Sequence, residues 1–511
     1  MLFESGFAPR RRTVLKAGLS LGALTLMSQA GFAQPTVPNT ITIGTSFDIV
    51  NFDPYAQSVN ALLLLKSLNA WLIEYDEDLN PVPSALESFE IAPDNASVTL
   101  TIRTDVVFHT GKTMTVDDVV YAIERAADPE RGFNLFAAAS SLVEKVESVN
   151  DTQVLITLKQ PTSPSLITDM LVHQPVLDSD KNNAESLSSE AASAGPYRVV
   201  EWRQGESLTL EAFPEWFGGS VRTPNVVIKF FTSPAAAVSA LASGALDLLA
   251  YPQARDASRL AADFDILSGF PGAATMLLRV STKTAPFDNK LVRQALQRAI
   301  NRDRIVKEVL FGFGGPAFLP FGPNSPVQDP SVPELLSYDL EAAKALLAQA
   351  PGITSGTALV NGSDATGQLV LQILQADLAS IGFDLTIDQQ DPATFNTRLV
   401  AGDFGVALGQ AGGGQLSVPR IVQNSLMRTS NNPLWVDGIP PKDYSDGINA
   451  LIQAGDEAAQ AEAYAKVRNV LIEESWAIGT YDVPTLWAYK KDLQGIARDH
   501  QNSLVLANAG F

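Results

Sequence analysis

Apolar and polar residues alternate along Thr40–Thr45, where Ile41 and Ile43 sit between threonines, and this period of two predicts a strand. The alternation recurs at Ser97–Arg103 through Val98, Leu100 and Ile102, and a shorter strand is predicted at Val154–Leu158. Between them Val116, Val119, Val120 and Ile123 recur at helical spacing. Thr115 opens that helix, its side chain expected to cap free N–H groups, with Asp117 and Asp118 at the positive end of the dipole. Asp128-Pro129 closes it. Gly195–Trp202 and Ser207–Phe213 flank Arg203-Gln204-Gly205-Glu206 and predict a hairpin. Pro234–Ala242 reads as a short helix, Leu246–Leu249 and Leu277–Ser281 as strands.

Helical spacing is clearest over Asn289–Leu310, with one apolar face of Val292, Leu296, Ala299 and Ile300. Asn301-Arg302-Asp303 breaks it before a second piece carrying Ile305, Val306, Val309 and Leu310. Further helices are predicted at Leu340–Ala350 and Gly367–Gly382, a strand at Asp384–Asp388, and strand-like segments around Thr480–Tyr489. Three further expectations follow from local composition: a buried helix over Ala61–Leu72, a polar surface linker over Asp178–Ala194, and one long helical region over Asp446–Glu474. Strands alternating with helices, without a tandem period, indicate a mixed α/β fold.

The first 33 residues break this pattern. Arg10, Arg11, Arg12 and Lys16 precede an apolar stretch from Ala17 to Met27, and Gly31 and Ala33 stand at −3 and −1 of a cut before Gln34. That is the three-part pattern of a signal peptide, with an apolar run too short and too glycine-rich for a good membrane span. Arg11 and Arg12 within Arg11-Arg12-Thr13-Val14-Leu15-Lys16 resemble a twin-arginine motif, with Val14 where Phe is usual. The expected destination is the periplasm of a Gram-negative bacterium. Removing residues 1–33 takes away four basic and one acidic side chain, so a net charge of −20 becomes −23 over 478 residues.

Length then sets the scale: 511 residues exceed what one core supports, so at least two domains are expected. With 46% apolar and 18% charged residues the composition is that of a folded protein. The acidic surface disfavours nucleic acid and anionic membrane as partners, and self-association too, so a monomer is expected. No cysteine is present, which excludes disulfides, thiolate nucleophiles and cysteine metal sites. His109, His173 and His500 are scattered, each better read as structural or surface than catalytic. No HExxH, GxSxG, phosphate-loop or dinucleotide fingerprint occurs, and Gly412-Gly413-Gly414 lacks the Lys and Ser/Thr of a phosphate loop. No catalytic residue, metal site or cofactor is expected.

Four stretches taken in order carry a resemblance. Phe108-His109-Thr110-Gly111 leads into Thr115-Val116-Asp117-Asp118-Val119-Val120 within Leu100–Pro129. Gly195-Pro196-Tyr197-Arg198-Val199 follows, with Trp202 and Gly205, and then Leu241-Ala242-Ser243-Gly244-Ala245-Leu246-Asp247. Pro286-Phe287-Asp288 precedes Val292-Arg293-Gln294-Ala295-Leu296 and Ala299-Ile300-Asn301-Arg302. Together they resemble the extracellular solute-binding proteins of family 5, the dipeptide- and oligopeptide-binding group serving ABC importers, over roughly the whole mature chain. The resemblance implies a two-lobed periplasmic-binding-protein α/β fold of type II, in the large cluster with an inserted subdomain. It implies a first lobe over 34–85 and 195–280, a subdomain over 86–194, a second lobe over 281–484 and a return over 485–511. It also implies a small-molecule or peptide ligand held between the lobes, and an ABC permease and ATPase as partners, the membrane being met only through the permease. A non-peptide solute such as a sugar or opine on the same fold is the alternative, and a secreted hydrolase using scattered carboxylates is the rival of another class.

Peptide binders of this family usually carry a Trp and an Asp-rich turn in the second lobe, the Asp pairing with the peptide amine. Here Phe404–Gln415 has neither, so either another acid serves or the ligand has no free amine there. Gly412 and Gly413 would let backbone N–H groups approach a ligand, and Gln410 offers an amide, unless the segment is a plain surface loop. Ser46, Phe47, Asp48 and Asn51 follow the first strand, where open α/β sheets place ligands, although Asp48 and Asn51 also suit turn backbone. Trp435 is a candidate stacking surface, whereas Trp216 beside the hairpin suits core better. Arg279 stands at a usually uncharged position; it could pair a ligand carboxylate or phosphate, or an acid within the protein.

Overall fold

The computed structural model describes residues 39–55, 65–76, 78–128, 137–181, 187, 191–412, 418, 422, 425–499 and 501–511. The segment carrying Arg11, Arg12 and Ala33, and also Gly413 and His500, lies outside them. Two large mixed sheets organise residues 39–511. The first has seven strands in the order Tyr197–Arg203, Ser207–Ala212, Asn225–Phe230, Thr40–Thr45, Leu248–Ala250, Leu486–Tyr489 and Asp265–Ser268. Thr40–Thr45 lies at its centre, parallel to both neighbours, Asn225–Phe230 and Leu248–Ala250. Buried on both faces, it brings Ile41 and Ile43 into a core with Leu208, Leu210, Ile228 and Trp487.

The second sheet has five strands in the order Asp384–Gln390, Ser355–Asn361, Val406–Gly412, Ala274–Val280 and Ala477–Asp482. Side chains of Ala274–Val280 alternate between two cores. Met276, Leu278 and Val280 meet helices Lys290–Ala299 and Ala365–Ser380, while Leu277 faces Phe395, Tyr444 and Trp476. A third sheet, fully antiparallel, joins Leu86–Ile91, Ser97–Ile102, Gln153–Leu158 and Val143–Asn150 and packs on helix Val116–Ala127. The predicted hairpin forms with Tyr197 opposite Ala212.

Local chemistry explains most boundaries. The Asn289 side chain accepts from Leu291 N–H at the start of Lys290–Ala299. The predicted break follows, where the Asn301 side chain accepts from Arg304 N–H and restarts the chain as a short turn. Asp391 caps Pro392–Ala401, and Gly402 ends it in the left-handed conformation. At Thr115 the expected roles are exchanged: the Thr115 hydroxyl and N–H both donate to the buried Asp118 carboxylate, which also pairs with Lys112 at 2.7 Å.

Three expectations fail. In place of a helix over Ala61–Leu72, the described part is a short 3-10 turn, Leu65–Leu68, followed by the strand Ala70–Trp71; Ala70 N–H donates to Ser193 Oγ rather than to a helical carbonyl. Asp178–Ala194 is no exposed linker where described. Asp178, Leu187 and Ser193 are buried, with Asp178 accepting from Thr110 and Lys112 and Ser193 donating to Val176 O. The long helical region splits into Lys442–Gln453 and Glu457–Glu474, because the Asp456 side chain accepts from Ala459 N–H and starts a new helix.

Candidate ligand-binding site

Two segments pass between the large sheets side by side, residues 269–273 and 483–485. Gly269 N–H donates to Thr485 O at 2.7 Å and Val483 N–H to Ala274 O at 2.9 Å. The Asn502 amide clamps Phe270 through both its N–H and its C=O. Gly272 takes φ +84°, and a β-carbon there would lie 2.3 Å from Gly322 Cα. Both the backbone conformation and the contact demand glycine. Gly272→Ala is therefore expected to lower the urea midpoint by an amount equivalent to at least about 1–3 kcal/mol, the usual cost of forcing a strained φ. Gly219→Ala, equally left-handed but with open space around it, is the control for strain without a clash.

On the seven-stranded sheet, the ends of Thr40–Thr45, Asn225–Phe230 and Leu248–Ala250 point the same way, and Ser46, Phe47, Asp48 and Asn51 lie just beyond. Ser46 is exposed, and Phe47 is 36% exposed with its ring edge-on to Tyr251 at 5.6 Å. Asp48 accepts from Ile49 N–H at 2.7 Å and Asn51 from Asp53 N–H at 3.0 Å, so both satisfy turn backbone. Tyr251, which the sequence reading passed over, sits at φ +59° with its ring against Phe47 and Trp487. Its buried hydroxyl has no hydrogen-bond partner among the described residues, and burial pushes its pKa up.

On the five-stranded sheet Arg279 is 5% exposed, and its Nη2 donates to Gln410 O at 2.6 Å. No carboxylate pairs with it among the described residues, and burial lowers its pKa to about 10. Gln410 itself is exposed on the strand beside it, and Gly412 pairs with Ala274. The 406–412 part of the glycine-rich segment is thus sheet, not loop. Trp435 stands edge-on to Trp476 at 5.4 Å and packs on the core that holds Tyr444. His109 is structural: its Nε2 meets Gly195 O at 3.1 Å, its ring packs on Phe213, and burial lowers its pKa to about 4.

A cavity of about 740 Å³ opens beside the five-stranded sheet, between the Ile300–Asp303 helix break and the 316–338 stretch. A gap of about 440 Å³ adjoins it, sharing Asp303 and Pro316. Ser258 walls that gap from the opposite side. Ser258 belongs to helix Ala254–Leu260, whose Leu260 packs with Ala488 of the seven-stranded sheet. Groups carried by the two sheets therefore face one another there. Arg302, 3% exposed, braces the cavity: Nε donates to Ala317 O and Gly479 O, Nη1 to Leu336 O and Gln297 O. Asp482 ends Ala477–Asp482 just before the crossing segment and lines the same cavity. It is 4% exposed, its Oδ1 has no partner among the described residues, and burial raises its pKa to about 7. Asp482 carries no local signal beyond being an acid at the end of a strand-like segment.

The family model described as bacterial extracellular solute-binding proteins, family 5 Middle, matches residues 80–432. The chain belongs to this family. Family 5 proteins bind solutes, and the two-sheet architecture is their two-lobed α/β fold. Among curated proteins, the chain is 28% identical over 395 residues to the glutathione-binding protein GsiB of Pectobacterium atrosepticum, covering 75% of this chain and 74% of that one. It is 24% identical over 500 residues to di/tripeptide-binding protein 2 of Pseudomonas aeruginosa, covering 90% and 92%. NikA from Brucella suis, solved in complex with Fe(III)-EDTA, superposes with a TM-score of 0.81 at 20% identity, covering 91% of this chain and 99% of that one.

Proposed function

We propose that the chain is the substrate-binding component of an ABC import system, taking a peptide or peptide-like solute between its lobes in the periplasm and passing it unaltered to the permease. The family match over residues 80–432 carries this reading. The gap between Ser258 and the Asp303–Pro316 region supports capture between lobes, and relatives named for glutathione and for di- and tripeptides support the ligand class. We draw the lobe limits at the crossing segments, 269–273 and 483–485, with 86–194 as the inserted subdomain. Ala274–Val280 then goes with the second lobe, whose sheet it joins, rather than with the first. Ser46, Phe47, Asp48 and Asn51 form the first-lobe wall, joined by Tyr251; Arg279, Gln410, Gly412, Gly413 and Trp435 are the second-lobe candidates. Residues 1–33 serve as an export signal of twin-arginine type, and the mature protein acts as a monomer without catalysis. Binding closes the lobes only as far as the cargo contacts the closed state better than the open one.

A non-peptide solute is the second reading, favoured by the lack of any acid after Asp403 in Phe404–Gln415. Mass spectrometry of small molecules released by denaturing the purified protein decides between them. A pool of short peptides is expected; a single sugar- or opine-like species would overturn the peptide assignment while keeping the binding role. Small-angle scattering of empty and reloaded protein is expected to give a smaller radius of gyration on loading. Identical profiles, or a cargo recovered cleaved, would sink the capture reading itself.

A further inference from the structure

We propose that Asp482 is the counter-ion for a cationic group of the cargo, and that the cavity beside it receives the ammonium-bearing end of an amine with an apolar body. This rests on the capture reading above, since the cavity opens onto the gap between the lobes through Asp303 and Pro316.

The first support is an uncompensated carboxylate. Asp482 is 4% exposed, lines the cavity, and joins none of the ion pairs or side-chain hydrogen bonds among the described residues. An acid buried in that way is costly unless something brings it a positive partner. No protein cation fills that role. Arg302 shares the cavity wall, but its Nε and Nη1 go to the carbonyls of Gln297, Ala317, Leu336 and Gly479, and its buried Nη2 meets no carboxylate among the described residues. Gly314 and Gly315 bring no side chain to the carboxylate: Gly315 O accepts from Asp482 N–H, and a β-carbon on Gly315 would lie 3.6 Å from Oδ2.

The second support is the remaining wall. Asp303 and Asp329 add negative charge at the rim, and Asp329 is already held by Ser331 and by Arg468 at 3.3 Å. Phe318 and Tyr338 add aromatic surface to the same wall, one face of Phe318 being covered by the Arg302 guanidinium. Acidic groups next to aromatic faces favour an organic cation over an anion or a neutral sugar. The charged and titratable groups around the cavity are Arg302, Asp303, Asp329, Tyr338 and Asp482. Burial raises the Asp482 pKa to about 7, so the acid gains most from a cation when it is ionised, above neutral pH.

The test is calorimetry on the unliganded full-length mature protein at pH 8, with phenethylammonium as probe and phenylethanol as its neutral counterpart. Phenethylammonium is expected to bind at least tenfold more tightly than phenylethanol, to lose that margin in Asp482→Asn, and to keep part of it in Asp482→Glu. The wild-type comparison needs no variant, so misfolding of Asp482→Asn cannot mask the result. Equal binding of the two probes, no binding of phenethylammonium, or an unchanged margin in Asp482→Asn would each overturn the assignment. Scattering on reloading with the copurified solute keeps the two claims apart: compaction without any ammonium preference sinks only the role of Asp482, whereas no compaction sinks the capture reading.

Discussion

Arg302→Met is expected to lower the unfolding free energy of the unliganded protein by about 3–5 kcal/mol, since several buried carbonyls lose their donor and each group left unsatisfied costs about 1–3 kcal/mol. Four backbone carbonyls depend on this one guanidinium: Ala317 O at 2.8 Å, Gly479 O at 2.9 Å, Leu336 O at 3.2 Å and Gln297 O at 3.4 Å. They come from the end of one helix, two points on the long 317–336 connection and the edge strand Ala477–Asp482. The guanidinium also lies over the Phe318 ring at 4.6 Å. Methionine keeps much of the volume but leaves buried acceptors unsatisfied, which costs more than the bonds themselves were worth. Lysine keeps the charge but, as a single ammonium, cannot span carbonyls on both sides of the fork. Arg302→Lys is therefore expected to recover only a small part of the loss. Two residues along, Arg304 is half-buried and pairs with the exposed Glu308 at 2.9 Å and more distantly with Asp377 at 3.9 Å, so Arg304→Met should cost far less, about 1 kcal/mol or under. Similar midpoints for the 302 and 304 variants would show that Arg302 does not hold the cavity wall together.

Arg302 also marks where sequence reasoning stopped. The motif Ala299-Ile300-Asn301-Arg302 was legible as part of a family pattern and as a helix break. Its bonds were not, because Ala317, Leu336 and Gly479 reach it only through tertiary folding. Elements whose signal is local were legible: the Thr40–Thr45 and Ser97–Ile102 strands, the Tyr197–Ala212 hairpin and the Lys290–Ala299 helix all formed where periodicity placed them. Elements decided at a distance were not. Asp178–Ala194 looked like a solvated linker by composition, yet Ser193 is fully buried and ties Ala70 to Val176. Apolar Ala61–Leu72 has helical composition, but pairing of Trp71 with Pro175 draws its end into a strand. At the candidate site, the loop after Thr40–Thr45 was singled out from strand position alone. Tyr251 and Asp482 were missed, because an unsatisfied hydroxyl or carboxylate is a property of its surroundings and leaves no mark in composition.

The pH dependence of stability should carry the signature of Asp482. Its folded-state pKa, about 7 against an ordinary 3.8, means that the folded protein holds this proton more tightly than the unfolded chain does. The contribution is therefore fully present below about pH 4, where both states are protonated. It declines as pH rises from about 4 to 7, and stays lost above that. A gap of about three pKa units corresponds to roughly 4 kcal/mol. Asparagine cannot ionise, so Asp482→Asn should match the wild type near pH 4 and exceed it by up to about that amount at pH 8. Taking the difference between the two proteins cancels titration of the other carboxylates, including Asp303 and Asp329 on the same cavity. Urea midpoints between pH 4 and pH 8.5 would measure it, and parallel profiles would mean that the carboxylate is already compensated in the folded state. If the difference does grow with pH, the empty protein above neutrality carries an unfavourable charge at the end of a strand that leads directly into the crossing segment. A cationic cargo would cancel that charge. Occupancy would then stabilise the strand end next to the hinge at the moment the lobes close over the ligand.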